Sequence, residues 1–178
     1  PGRQVEYLAF GMPLTVIDRE ANNRYVASVI NGESRFGLYV PSLDADAETL
    51  WNAVQGGGFA GFKPYLAYVT WKDIEEIRIL DFVTEAALEV AHAHSLIIML
   101  HVPRSTRLPD PDNLRDLEYI ASRFPNVRVI LAHGGRAYAP EIIEPALDVV
   151  ATLPNMYFDL SVVQSAGVVQ AILERMPA

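Results

Sequence analysis

Six short apolar runs alternate with six helix-like stretches along this chain, and that alternation restricts its fold more than any other feature. The strand-like runs are VEYLAFGMP from Val5, RFGLYVPS from Arg35, FAGFKPYLA from Phe59, LIIMLHV from Leu96, VRVILAH from Val127 and NMYFDLS from Asn155. Between them, Asp18 to Ile30 opens on a capping aspartate. Asp46 caps AETLWNAVQ, which stops at Gly56-Gly57-Gly58. Ile79, Leu80, Val83, Ala87, Leu88 and Ala91 recur at helical spacing. Asp112 to Phe124 and Pro140 to Leu153 read as helices bounded by proline, and Ala166 to Met176 reads as a last one. Repeated strand-then-helix units demand parallel strands joined by right-handed crossovers. The expected fold class is therefore α/β.

No linker, low-complexity tract or charge block divides the sequence, so residues 1–178 are expected to form a single domain. A hydrophobic fraction of 51% is enough for a substantial core. The net charge of -8 argues against a nucleic-acid or anionic-membrane partner. Cysteine is absent, which excludes disulfides, thiolate metal sites and a cysteine nucleophile. No apolar run approaches the ~20 residues that span a bilayer, and PGRQVEY has neither signal-peptide nor transit-peptide character. A cytoplasmic location is the expectation. An eight-stranded barrel takes ~250 residues, whereas a doubly wound open sheet needs only five or six strands. Length alone favours the open sheet.

The carboxyl ends of parallel strands carry the chemistry of such folds, because the loops there converge on one open face. Two runs break at a histidine in that position, at His101 before Pro103 and at His133 before Gly134-Gly135. Alternation along a strand puts Ile97, Met99 and His101 on one face, and Val129, Leu131 and His133 likewise on one face. A lone histidine at a strand end is usually a satisfied core residue. Two on successive units point to metal ligation or general-base work. Lys63, sharing parity with Tyr65 inside the third run, is either a lysine snorkelling to solvent or one facing a polar mouth. Asp159 ends the sixth run in the same way, where turn capping is the plainer role. Arg104 and Arg136 follow the histidines and could clamp a substrate carboxylate, although a surface ion pair is the commoner fate of one arginine.

Two patterns mislead. Gly56-Gly57-Gly58-Phe59-Ala60-Gly61 satisfies G-x-G-x-x-G but follows a helix and precedes a strand, so a helix C-cap explains it better than dinucleotide binding. His92-Ala93-His94 sits near a helix C-terminus, where side chains two apart diverge, and favourable interaction with the helix end is its plainer role. No serine-hydrolase elbow or phosphate-binding loop is present.

The run GFKPYLA, a strand ending in His101, the segment SRFPNVRVILAHGGR and then LPNMYFDLS together resemble the amidohydrolase superfamily. The resemblance is to its amidohydrolase 2 branch of metal-dependent hydrolases and non-oxidative decarboxylases, and it extends from Phe36 to Met176. It implies an incomplete parallel (β/α)8 TIM-type barrel of about six units, the second to seventh strands of eight. By the same resemblance His101 is a metal ligand, and His133 is a second ligand or acts on substrate or water. Lys63 falls near the lysine that bridges two metals in some members. The family's H-x-H strand and its final aspartate are absent from these residues. Four-coordinate catalytic zinc takes at least three protein ligands, so Zn or Mn is expected to bind this chain weakly or not at all. The expectation is either that terminal segments complete the site or that the chain is an inactive piece.

The implied activity is hydrolysis of a small carboxylated lactone, ester or amide by a metal-activated water. His101 would hold the metal, His133 and Lys63 would be catalytic, and Arg104, Arg136, Tyr65 and Asp159 would contact substrate. Non-oxidative decarboxylation of an aromatic acid is the alternative. Two non-enzymatic readings remain: a small-molecule binding module, and a remnant whose open strand edges pair in a homo-oligomer.

Overall fold

A computed structural model describes residues 5–176. Six strands form one sheet in sequential order: β1 (Tyr7–Phe10), β2 (Arg35–Tyr39), β3 (Gly61–Phe62), β4 (Ile97–Leu100), β5 (Arg128–Leu131) and β6 (Met156–Phe158). Every neighbouring pair is parallel. A doubly wound sheet reverses its strand order at a switch point, and no reversal occurs here, so the open sheet that length favoured is set aside. The strands curl into an incomplete (β/α) barrel with helices on the outside.

Among the described residues seven α-helices lie between and after the strands: α1 (Arg19–Val29), α2 (Ala47–Gly57), α3 (Ile79–Phe82), α4 (Glu85–His94), α5 (Pro111–Arg123), α6 (Pro140–Val150) and α7 (Ala166–Arg175). Their starts follow from capping chemistry. Asp18 and Asp46 accept the amides of Ala21 and Thr49, satisfying donors that a first helical turn leaves free. Helix α2 ends on Gly58 in the left-handed conformation (φ 67°), which confirms the triple glycine as a helix stop. The helical spacing from Ile79 to Ala91 is divided in two, because Thr84 breaks away at Val83 and caps a fresh helix through the amide of Ala87. Helix α5 begins one residue before the expected Asp112, with Asp110 as cap and Pro111 in the first turn.

Alternation along the strands divides the core in two. Ile98, Leu100, Val129 and Leu131 are fully buried against the helices in the large cluster. Leu38, Met99 and Ala132 form a smaller cluster on the concave face, with Leu8, Ala60, Ile97 and Ile130 packed on it. Burial of the helix-facing layer at roughly 25 cal/mol per Å² of apolar surface is the main term holding sheet and helices together. Gly61 permits the closest approach in the sheet: a Cβ there would lie 1.9 Å from the carbonyl oxygen of Ile97. No helix among the described residues is long and apolar enough to cross a membrane.

Candidate active site at the carboxyl ends of the strands

His101 and His133 meet at the carboxyl end of the sheet, with ring centroids 5.0 Å apart, but not by the parity expected from sequence. The β4–β5 register pairs Ile98 with Val129 and Leu100 with Leu131. Continued, it sets His133 level with Val102, which is buried against the helices. Simple alternation would therefore send His133 to the face opposite His101. The backbone prevents this. His133, Gly134, Gly135 and Arg136 all have positive φ, at 55°, 61°, 62° and 59°. The strand thus ends in one left-handed turn, closed by the Arg136 amide donating to the His133 carbonyl at 2.9 Å. That turn brings His133 and Arg136 back to the mouth. Left-handed backbone costs roughly 1–2 kcal/mol for a non-glycine residue. The two glycines spare half the turn that cost, and neighbours hold the rest.

A cleft of about 380 Å³ opens there, lined by His101, His133 and Arg136, by Tyr65 and Tyr138, and by the apolar side chains of Pro13, Leu66, Ala67 and Ile74. Arg136 anchors one guanidinium nitrogen on the Val102 carbonyl at 2.9 Å, which orients the group without neutralising it. Tyr65 donates to the Gly11 carbonyl at 2.7 Å, and burial pushes its phenol well above the ordinary range. Its ring stands 6.0 Å from His101.

Lys63 lies beneath the cleft rather than on its wall. It is 1% exposed, and its Nζ donates to the Met99 carbonyl at 3.2 Å under the rings of Tyr65 and Phe10. Burial draws its pKa down to about 7, with the charge of Asp159 partly offsetting that. His101 falls to about 3, first through burial and then through the positive charge of Lys63 and its other cationic neighbours. It is a neutral imidazole across the physiological range, the state that can bind a metal.

Asp159 turns its carboxylate on His133 and Ser161. Oδ2 accepts the His133 amide at 3.1 Å and the Ser161 hydroxyl at 2.6 Å, and Oδ1 accepts the Ser161 amide at 3.0 Å. Burial raises the Asp159 pKa, but these hydrogen bonds and the nearby His133 outweigh it and leave the group below the ordinary range. His133 Nδ1 lies 2.9 Å from Ser161 Oγ and 3.3 Å from Asp159 Oδ2. Ser161 escaped the sequence reading, though the D-x-S spacing of a side-chain-capped turn was visible. Ile74 and Tyr138 escaped it too, and nothing in their local sequence marks them.

Arg104 is not brought to the cleft as the sequence suggested. Its guanidinium pairs with Asp112 at 2.7 Å and Asp110 at 3.5 Å and donates to the Ile77 carbonyl. Two carboxylates supplied by the Pro109-Asp110-Pro111-Asp112 segment leave it fastening a loop. His92 and His94 are not a metal pair either: His92 accepts the Asn126 amide and His94 stacks on Trp51.

Among the described residues, no three His, Asp or Glu side chains are grouped to hold one ion. His101 and His133 are imidazole donors of the kind that zinc takes, whereas manganese would need added carboxylate oxygens. They fit part of a metal site and leave at least one ligand to come from elsewhere.

The profile of the amidohydrolase 2 family, described as amidohydrolase, matches residues 11–175. Among curated proteins none matches the sequence. Several solved structures share the fold. An amidohydrolase II is 17% identical with a TM-score of 0.57, over 89% of this chain and 60% of its own. An uncharacterised TIM-barrel protein from Bordetella bronchiseptica is 16% identical with a TM-score of 0.57, over 97% of this chain and 63% of its own. A 4-oxalomesaconate hydratase from Rhodopseudomonas palustris is 15% identical with a TM-score of 0.55, over 88% of this chain and 54% of its own. The chain thus spans roughly three fifths of the length of these structures.

Proposed function

This chain belongs to the amidohydrolase family, and we propose that it supplies most of the catalytic face of a metal-dependent hydrolase acting on a small carboxylated lactone, ester or amide. The observation that carries this reading is the meeting of His101 and His133 over a cleft that also holds Arg136. A divalent ion, when bound, supplies a water whose pKa falls toward ~7 and a Lewis acid for the carbonyl. His101 would hold it, kept neutral by burial and by Lys63. His133 takes the proton of the attacking water or steadies the carbonyl oxygen. Arg136 binds the substrate carboxylate with the donors not committed to Val102. Lys63 lies beneath the cleft as an amine that is charged below about pH 7 and neutral above it, and Tyr65 forms the wall between that lysine and the substrate.

One observation favours a second reaction on the same site. Tyr65, Tyr138, Leu66 and Ile74 give the cleft an aromatic and aliphatic wall that suits an unsaturated or aromatic acid. Non-oxidative decarboxylation would then have His133 deliver a proton to the ring carbon as CO2 leaves.

Full-length, metal-loaded protein assayed in parallel for lactone, ester and amide hydrolysis and for CO2 release separates the two. The His133→Ala variant is expected to lose about 10²-fold or more of whichever activity is present. Retention within a few-fold of wild type would remove His133 from its role.

A further inference from the structure

We propose that Asp159 and Ser161 form a positioning relay that fixes the tautomer of His133, with the proton on Nδ1 and the lone pair of Nε2 presented to the cleft. The inference deepens the reading of His133 as the group that meets water or substrate, and rests on it for its functional meaning. The geometry alone dictates the proton's position. The Ser161 hydroxyl has a single hydrogen, and it is committed to Asp159 Oδ2 at 2.6 Å. Ser161 Oγ can therefore only accept from the imidazole, at 2.9 Å from Nδ1. The other atoms near Nδ1 are the Ser161 carbonyl at 3.2 Å and Asp159 Oδ2 at 3.3 Å, both acceptors as well. A ring nitrogen facing three acceptors must carry hydrogen. In a neutral imidazole the other nitrogen is then bare.

The backbone reinforces the arrangement. Asp159 also accepts the amide of His133, and its carbonyl accepts the amide of Gly134 at 2.8 Å. One residue at the end of β6 thus holds both the left-handed turn that aims His133 and the serine that orients its ring. This replaces substrate contact as the role of Asp159, whose carboxylate oxygens are already engaged by Ser161 and His133. Neither Ser161 nor Asp159 lines the cleft that His101, His133 and Arg136 share, and both act through His133 as positioning residues.

The test is a long-range ¹H–¹⁵N correlation spectrum of the 178-residue chain, which distinguishes a protonated ring nitrogen from a bare one. Wild type is expected to show His133 as the Nδ1–H tautomer, with a hydrogen protected from water. Ser161→Ala removes the 2.9 Å acceptor and should speed exchange of that hydrogen about tenfold, while Ser161→Thr, which keeps the hydroxyl, should restore protection. An Nε2–H tautomer in wild type would overturn the relay. So would undiminished protection in Ser161→Ala. If that variant does not fold, the wild-type tautomer and the Ser161→Thr spectrum still decide. None of these readouts depends on turnover, so a failed activity assay would leave the relay standing and condemn only the reaction assigned to the site.

Discussion

His133 and Arg136 are the two ends of a single left-handed turn, with φ of 55° and 59°, and the amide of Arg136 closes it on the carbonyl of His133 at 2.9 Å. Residues three apart in so tight a turn project to the same side, so the group proposed to handle the proton and the group proposed to bind the carboxylate come from one four-residue unit. The glycines between them are structural necessities of that unit.

Gly135 is the more demanding of the two. A Cβ there would lie 2.8 Å from Leu108 Cδ2 and 3.0 Å from its Cβ, at a φ of 62°. Gly135→Ala is expected to cost about 2–3 kcal/mol, from left-handed strain plus overlap in a packed core, read as a lowered urea midpoint at unchanged slope. Gly56, inside α2 with nothing within 4 Å of a Cβ, is the control. Gly56→Ala should be neutral or stabilise by up to about 1 kcal/mol.

The buried amine of Lys63 sets a pH dependence of stability. Its native pKa of about 7 lies below the ordinary 10.5, so between those values the unfolded chain holds a proton that the native chain lacks. Stability is gained as pH rises through that window and lost as pH falls toward 7, by at most about 1.4 kcal/mol per pH unit. Lys63→Met removes the effect. Thermal unfolding should find the variant more stable than wild type at pH 7, with the difference narrowing toward pH 10. A difference constant with pH would contradict the buried neutral amine.

His101 is depressed in the same direction, to about 3 against an ordinary 6.5. Its contribution is present above pH 6.5 and is lost as pH falls toward 3. Its ring resonances should not titrate between pH 8 and 5. Lys63→Met, by removing the nearest positive charge, should move its titration upward. A His101 that protonates near pH 6.5 in the folded chain would show an open, solvated ring and undo its assignment as a neutral ligand.

Most of the fold was legible because strands and helices announce themselves through local patterns: six apolar runs, and caps at Asp18 and Asp46. Positions settled by tertiary partners were not. Alternation along β5 grouped His133 with Val129 and Leu131, a face that the register against β4 turns toward the helices, and only the left-handed turn takes the histidine off it to meet His101. Gly134-Gly135 signalled a turn without disclosing its hand. Arg104 was misjudged because an arginine beside a site histidine looks like a substrate clamp until the loop brings Asp110 and Asp112 to it. Thr84 between two apolar stretches was a readable cap, and the break between α3 and α4 could have been drawn from it.

The two arginines that look alike in sequence should separate in function. Arg136→Ala is expected to weaken binding of a small carboxylate such as benzoate about tenfold or more with little change in stability. Arg104→Ala should leave that affinity within about twofold and instead lower the urea midpoint as its pairs with Asp110 and Asp112 are lost. Calorimetric titration and urea unfolding of both variants measure the two effects, and the reverse pattern would return Arg104 to the site.

The chain has four histidines, two on α4 and two at the mouth of the barrel, so a Zn²⁺ titration followed through their ring resonances tests the central claim directly. If His101 holds the metal beside His133, 5.0 Å away between ring centroids, the signals of this pair shift at lower metal concentration than those of His92 and His94. If the helix pair responds first, or if His133 shifts while His101 does not, the mouth of this barrel is not the metal-dependent site assigned to it.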